Sequence, residues 1–197
     1  MKVVLICHAQ EHSGQPDPMY YKNGGPSLLK IMKYYANYGY KDFVLCLGEH
    51  GDVVKNYFLN FKNFTPVDFV LTSGSVINLL GTDIDDWNIM FDDNAGITNR
   101  PRNVFDLQKY LKFDRYFLIN DDVTSPEGPL DDLISQFKRS QKTGMRLGNS
   151  TSFIFRKSVL DKLQQDHQIS MNMFTQLEKN APMTISNPSL GNALVYL

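Results

Sequence analysis

The chain has 197 residues, 42% of them hydrophobic and 21% charged, with a formal charge of −1 from 20 Lys and Arg against 21 Asp and Glu. This length suits one domain over 1–197 and is too short for two of ordinary size. A balance so near neutrality excludes a bulk field that would collect nucleic acid or an anionic membrane, and no apolar run reaches the roughly 18 residues of a membrane span.

Lys2 to Cys7 is a short, nearly continuous apolar run opening onto polar residues, which predicts a central parallel strand. The same stretch lacks the flanks of a signal peptide, so a cytoplasmic location is expected. From Pro26, suited to a first helical turn, Leu28, Ile31, Met32 and Tyr35 recur at helical spacing until Gly39. Asp42 to Leu47 predicts a second strand. Gly51 to Phe61 predicts a helix with Val54, Tyr57, Phe58 and Phe61 on one face, and Val67 to Thr72 a third strand. Strands alternating with helices in this way predict an α/β protein, with a mainly parallel sheet, right-handed crossovers and helices on both faces. Ligands of such sheets bind beyond the carboxyl ends of the strands, so His8 and Gly48 to Gly51 point toward a crevice.

The remaining chain continues in the same manner. Strands are predicted at Trp87 to Phe91, Arg115 to Asn120 and Thr151 to Phe155, with closing strands at Met183 to Ser186 and Ala193 to Tyr196. Helices are predicted at Val104 to Leu111, Leu130 to Ser140, Val159 to Leu163 and Met173 to Lys179. Cys7 and Cys46 fall inside apolar strands and read as buried thiols. Tyr34, Tyr35, Tyr38 and Tyr40 make an aromatic patch, a candidate surface for a homo-oligomer or protein partner, with Tyr35 assigned to the core.

Chemistry is best sought at Tyr116 to Val123, where an apolar strand ends abruptly in Asp121 and Asp122. Mg²⁺ takes one or two carboxylates together with phosphate oxygens and water, so this pair is the candidate catalytic and metal site, with Asp121 as the metal ligand. A turn or helix cap explains the same two residues without a metal. Arg100 and Arg102, before a predicted helix, suit a phosphate, although a solvated basic turn looks alike. His8, Glu11 and His12 are close in sequence but lack a third ligand at diagnostic spacing.

Gly24-Gly25-Pro26-Ser27-Leu28-Leu29-Lys30-Ile31-Met32, followed by Gly39-Tyr40-Lys41-Asp42-Phe43-Val44-Leu45-Cys46-Leu47-Gly48, resembles the sugar-1-phosphate nucleotidyltransferases, in particular the glucose-1-phosphate cytidylyltransferase branch. Trp87-Asn88-Ile89-Met90-Phe91-Asp92-Asp93-Asn94-Ala95-Gly96 is similar to that family's W-N-V-x-x-V-D-T-G. The resemblance implies a Rossmann-like, GT-A-like nucleotide-diphospho-sugar transferase fold and a nucleotide or nucleotide-sugar ligand, with His8, Gly48, Arg100 and Arg102 as candidate contacts. It aligns Asp121 with the metal aspartate of a G-D-G turn and puts Asp122 in place of the following glycine.

The same resemblance exposes four departures. The G-x-G-T-R loop is replaced by Cys7-His8-Ala9-Gln10-Glu11-His12-Ser13-Gly14, and Asp17 stands at the position of the P-K-P-M lysine. Gly144 to Phe155 runs straight into an N-G-G-F-F-like strand, without the strands that end in the E-K-P sugar-phosphate grip, and Val195 aligns with the second metal aspartate. At about 4 Å and an effective dielectric of about 20, one charge facing a phosphate is worth about 4 kcal/mol, so Lys to Asp swings about 8 kcal/mol before screening. The resemblance therefore implies a kept scaffold whose ordinary NTP:sugar-1-phosphate reaction is lost or altered, serving as a binding or assembly partner in nucleotide-sugar metabolism. Two alternatives stay open. One is an active nucleotidyltransferase using Asp121 and Asp122 for Mg²⁺, with Arg100 or Arg102 supplying the missing charge; the other is a small metal-dependent glycosyltransferase in which Asn120-Asp121-Asp122 acts as a degenerate D-x-D.

Overall fold

The computed structural model describes residues 1–7, 19–20, 25–48, 51–61, 69–72, 76–79, 84–93, 104–120, 125–126, 128–148, 150–160 and 185–186. The strands, in chain order, are β1 (Lys2–Cys7), β2 (Asp42–Leu47), β3 (Phe69–Thr72), β4 (Val76–Leu79), β5 (Asn88–Asp92), β6 (Tyr116–Asn120), β7 (Gly144–Leu147), β8 (Ser152–Arg156) and β9 (Ile185–Ser186). The α-helices are α1 (Ser27–Asn37), α2 (Gly51–Leu59) and α3 (Leu130–Arg139), and Val104–Lys109 forms a 3-10 helix.

Seven strands make one sheet in the order β5-β2-β1-β6-β8-β7-β9. The four strands from β5 to β6 are parallel, β8 is antiparallel to both β6 and β7, and β9 is parallel to β7. The α/β, mainly parallel architecture expected from the alternation is therefore present. Both faces of β1 are buried, which is why its sequence is apolar without alternation. Val3, Leu5 and Cys7 face a core that includes Leu28, Ile31, Met32 and Tyr35 of α1, Val54 of α2, and Leu130, Leu133, Ile134 and Phe137 of α3. Val4 and Ile6 face a second core with Leu107, Leu111, Phe117, Phe155, Val159 and Leu160. The coverage is unequal: among the described residues all three α-helices lie on the first face, and the 3-10 helix and residues 158–160 lie on the second. Cys7 and Cys46 are buried in these two separate cores.

Several expectations need correction. Val67 to Thr72 does not supply the third parallel strand; β3 pairs antiparallel with β4 in a separate two-stranded sheet, with Thr72 opposite Val76. Three intervening residues permit a hairpin and not a parallel crossover. The place beside β2 goes to β5. The strand expected at Thr151 to Phe155 is present as β8, while β7 before it was not expected; Gly148, at φ 64°, lies in the turn between them. Val104 to Leu111 is a 3-10 helix that ends at Lys109. Helical structure begins after Lys157 as expected, and Ile185–Ser186 forms the short β9 within the Met183 to Ser186 stretch. Residues 161–163, Met173 to Lys179 and Ala193 to Tyr196 lie outside the described residues.

Local signals explain the helix ends. Extended Pro26 precedes α1, and beyond it Gly39, at φ 81°, donates its N–H to Ala36 O at 2.8 Å. In α3, Asp131 and Asp132 occupy the first turn and Lys138 and Arg139 the last, matching the helix dipole. Arg156 of β8 closes the turn after α3. Its Nε donates to Lys142 O at 2.8 Å, its Nη2 to Ser140 O at 2.5 Å, and its Nη1 to Tyr116 Oη at 3.3 Å. The guanidinium also lies 5.3 Å from the Tyr116 ring centre and 5.2 Å from that of Phe137.

Of the four tyrosines, Tyr35 is fully buried as expected. Tyr34 packs between Tyr35 and Tyr38, with 5.3 Å between ring centres in each pair, and donates to Pro126 O at 3.5 Å. Burial, reinforced by Tyr38, pushes the Tyr34 phenol well above the usual range.

Two outcomes are expected. Arg156→Lys loses the planar fork that serves several acceptors at once and lowers stability by about 1–3 kcal/mol, read as a urea midpoint shift at unchanged slope. Because folding raises the Tyr34 pKa, its contribution is complete below the unfolded value of about 10 and is lost as pH rises past it. The stability curve should therefore fall above about pH 10, and Tyr34→Phe should make that fall shallower in pH-dependent urea melts.

Candidate functional site

Parallel pairing brings the carboxyl ends of β5, β2, β1 and β6 to one edge of the sheet. The register sets their heights: Cys7 pairs with Leu47, Cys46 with Asp92, and Asn120 with Leu5. Strand β6 thus ends two residues short of the end of β1, and the next residues in sequence are Asp121 and Asp122.

At the end of β2, Gly48 leads into α2, and its carbonyl accepts the Gly51 N–H at 3.1 Å. Gly51 is buried against the strand it follows. A Cβ there would stand 2.8 Å from Leu47 Cβ and 3.2 Å from Leu47 Cδ1, so the backbone approaches β2 more closely than a side chain permits. Lys55 of α2 then reaches Asp93 just beyond β5, at 2.5 Å, and Asp52 at 3.5 Å. The bond to Asp93 chiefly raises the Lys55 pKa, against some desolvation.

At the end of β5, Asp92 is 7% exposed and accepts from Lys109 Nζ at 3.2 Å and from Tyr110 Oη at 3.1 Å. A buried carboxylate needs such donors to offset its lost hydration. Desolvation lowers the Lys109 pKa, but its hydrogen bonds with Tyr110 and to the Asp92 carboxylate outweigh it, so the ammonium is held in its charged form. Burial raises the Tyr110 phenol, with Lys109 opposing. Asp92 faces the second core and therefore lies on the face away from α1.

At the end of β6, Asn120 and its cross-strand partner Ser152 are both fully buried. Asn120 Nδ2–H donates to Ser152 Oγ at 2.7 Å, and Ser152 Oγ lies 3.1 Å from Tyr35 Oη. This commitment to the core removes Asn120 as the outward first ligand of a degenerate D-x-D. Close by, on the turn between β7 and β8, Thr151 Oγ1 is buried and has no hydrogen-bond partner among the described residues.

Of the residues singled out from sequence, Gly48 is described and lies at the carboxyl edge of β2. His8, Arg100, Arg102, Asp121 and Asp122 lie outside the described residues, as do Glu11, His12, Asp17 and Val195. Among the described residues no group of three or more His, Cys, Asp or Glu side chains is placed to hold a metal. Asp121 and Asp122, expected from sequence to offer the hard oxygens that Mg²⁺ takes, follow Asn120 in the sequence. Two clusters escaped the sequence reading: Asp92 with Lys109 and Tyr110, and Tyr35 with Ser152 and Asn120. A carboxylate closing an apolar strand signalled the first; no local pattern signals the second.

No protein-family model matches the chain. It is 31% identical over 125 residues to the glucose-1-phosphate cytidylyltransferase of Salmonella typhimurium, a match covering 60% of this chain and 48% of that one. The chain thus spans about half the length of the curated relatives it matches. Its fold is that of HddC from Yersinia pseudotuberculosis in complex with GMP-PN, at TM-score 0.54 and 15% identity, covering 81% of this chain and 78% of that one. The inositol-1-phosphate CTP transferase from T. maritima superposes at TM-score 0.51 and 13% identity, covering 90% and 80%. No described helix is long and apolar enough to cross a membrane.

Gly51→Ala should cost about 1–3 kcal/mol of stability, since Leu47 or the start of α2 must shift to admit the methyl group. A urea midpoint equal to that of the wild type would show that α2 can move aside freely.

Proposed function

We propose that this divergent, partial sugar-1-phosphate nucleotidyltransferase-like chain keeps the nucleotide crevice of its relatives while their ordinary reaction, between a nucleoside triphosphate and a sugar-1-phosphate, is lost or altered. The observation that carries this reading is the direct β7–β8 hairpin. Arg146 still pairs with Phe153, so six residues at most separate the paired positions and no length remains for the E-K-P strands implied by the resemblance. The sugar-phosphate grip would have stood there. Asp17 adds a second obstacle, because a carboxylate replaces the lysine that would face the attacking phosphate. Each 1.4 kcal/mol is about tenfold in rate, so even a small screened remnant of the charge reversal suppresses turnover.

In this reading Asp121, with Asp122 beside it, holds Mg²⁺, and His8, Gly48, Arg100 and Arg102 border the nucleotide. The bound ion would neutralise phosphate oxygens. The backbone around Gly48 is held by α2 packing on Leu47, and Asp92 keeps Lys109 charged at the neighbouring strand end. The chain would act as a nucleotide-binding or assembly component of nucleotide-sugar metabolism, with a second copy or a pathway protein as its partner.

Mixing the protein with CTP or UTP, Mg²⁺ and glucose-1-phosphate is expected to release no pyrophosphate above background. Mg²⁺ with CTP alone should raise the melting temperature, the added stability being about 2.7 kcal/mol at about 100 times Kd. Enzyme-dependent pyrophosphate release that Asp121→Ala abolishes would establish the active-enzyme alternative. No thermal shift with any nucleoside triphosphate would remove the binding function.

A further inference from the structure

Phe113 is 91% exposed, more than any other large apolar side chain among the described residues. It stands at the tip of a tight turn between the 3-10 helix and β6, where the Asp114 N–H donates to Leu111 O at 3.1 Å. Turn tips favour small and polar residues, so a phenyl ring there calls for a cause. The turn holds the ring out on a fixed base. Leu111 is fully buried on one side of it, and on the other the Asp114 carboxylate pairs with Lys2 Nζ at 2.8 Å. Lys157 Nζ donates to Lys112 O at 3.1 Å, tying the tip to the residue that follows β8.

Cations surround this ring. Lys112 Nζ lies 6.0 Å from its centre, a backbone bond of 2.9 Å joins Lys157 to Arg115, and Lys138 Nζ lies 5.9 Å from the ring of Tyr116, the residue after Arg115. Lys142 follows through Arg156, whose Nε donates to its carbonyl. Among the described residues none of Lys112, Arg115, Lys138, Lys142 and Lys157 is paired with a carboxylate, and Asp114 is already engaged by Lys2. Acidic groups of the same sheet edge lie at its other end, where Asp86 pairs with Lys41 and Asp42 accepts from Asn88. The formal charge of −1 thus hides a separation of charge. At ~0.1 M salt fields reach only about 10 Å, so a surface in contact responds to the local group and not to the molecular total.

The chemistry of this surface selects its partner. Protein interfaces are depleted of lysine, and single-stranded nucleic acid is held in a groove with successive stacking rings, whereas here one ring projects from a turn among lysines and an arginine. Apolar insertion and polybasic attraction are each weak alone and together give reversible attachment to a membrane. We propose that the amino edge of the sheet around β6 is a docking surface for an anionic lipid bilayer, with Phe113 entering the interface while Lys112, Arg115 and Lys157 meet headgroup phosphates. This edge lies opposite the carboxyl ends of the parallel strands, so a docked molecule keeps those ends turned to solution. The inference stands whether or not the carboxyl edge binds a nucleotide.

The test sediments the full chain with vesicles of phosphatidylcholine, alone or mixed with phosphatidylserine, in ~0.1 M salt, with melting temperatures measured on the same variants. The wild type is expected to partition onto the mixed vesicles and not the neutral ones, and to be released by high salt. Phe113→Ser should weaken that partition about tenfold. Lys112→Glu should weaken it by about tenfold or more, since each cation near the surface is worth about fivefold. Both variants should melt as the wild type does, because both side chains are exposed. Phe113→Trp should add a blue-shifted emission on mixed vesicles relative to the wild type, whose sole tryptophan is the partly buried Trp87. Tyr20→Ser, at an exposed aromatic elsewhere, should bind as the wild type does. Failure to bind mixed vesicles, equal binding to neutral ones, or undiminished partition of Phe113→Ser overturns the inference. Capture by single-stranded poly-U RNA without binding to vesicles also overturns it, and assigns the same cations to nucleic acid.

Discussion

Strand β1 pairs with β2 on one side and β6 on the other, and Val3 to Cys7 are buried on both faces. Removing those side chains from water is worth about 1.5–3 kcal/mol apiece before the entropy of ordering the chain is set against it. The more important consequence is geometric. Because all three strands run the same way, their carboxyl ends fall on one edge, and the loops and helix starts that follow are brought together there. Gly48, the candidate residue described at that edge, owes its position to this pairing.

Polar groups enter the sheet where the chemistry would be. Asp92 closes β5 toward the second core and Asn120 closes β6 toward the first, each buried and each supplied with hydrogen-bond partners. Among the described residues Ser152, the cross-strand partner of Asn120, is the other buried polar position within a strand. Gly51 works at the same edge by a different means, since the absence of a side chain lets α2 begin against Leu47. Together these features hold three of the four parallel strand ends, β2, β5 and β6, through side chains or backbone on neighbouring elements.

The relation to the cytidylyltransferases is consistent with this division. The parallel half of the sheet, with α1 and α2, is the part in which the sequence resemblance is richest, and it is also the part held by the β1 pairing. The antiparallel half can lose an insertion between β7 and β8 without disturbing that frame, because a hairpin closed by Gly148 and Ser150 still delivers β8 to β6. Ser150 Oγ donates to Leu147 O at 2.7 Å and accepts the Ser152 N–H at 3.1 Å, which stabilises the short turn. A scaffold can thus persist while the groups that served a reaction change around it.

The sequence alone determined the apolar strands β1 and β2, the amphipathic helices α1 and α3, and the α/β class, because burial on two faces and helical spacing leave local patterns. It also marked Asp121 and Asp122, since two carboxylates after an apolar strand are conspicuous in one dimension. Tertiary structure decided the rest. Val67 to Thr72 looked like another parallel strand, but β4 lay only three residues away and captured it in a hairpin. Thr151 to Phe155 was legible as β8, but β7 before it was not, because it exists through its pairing with β8 across the turn at Gly148. The meeting of Tyr35, Asn120 and Ser152 had no local signature, for it joins residues up to 117 positions apart through sheet register and helix packing. Periodicity records which face of an element is buried; only the packed fold decides which polar groups will find one another there.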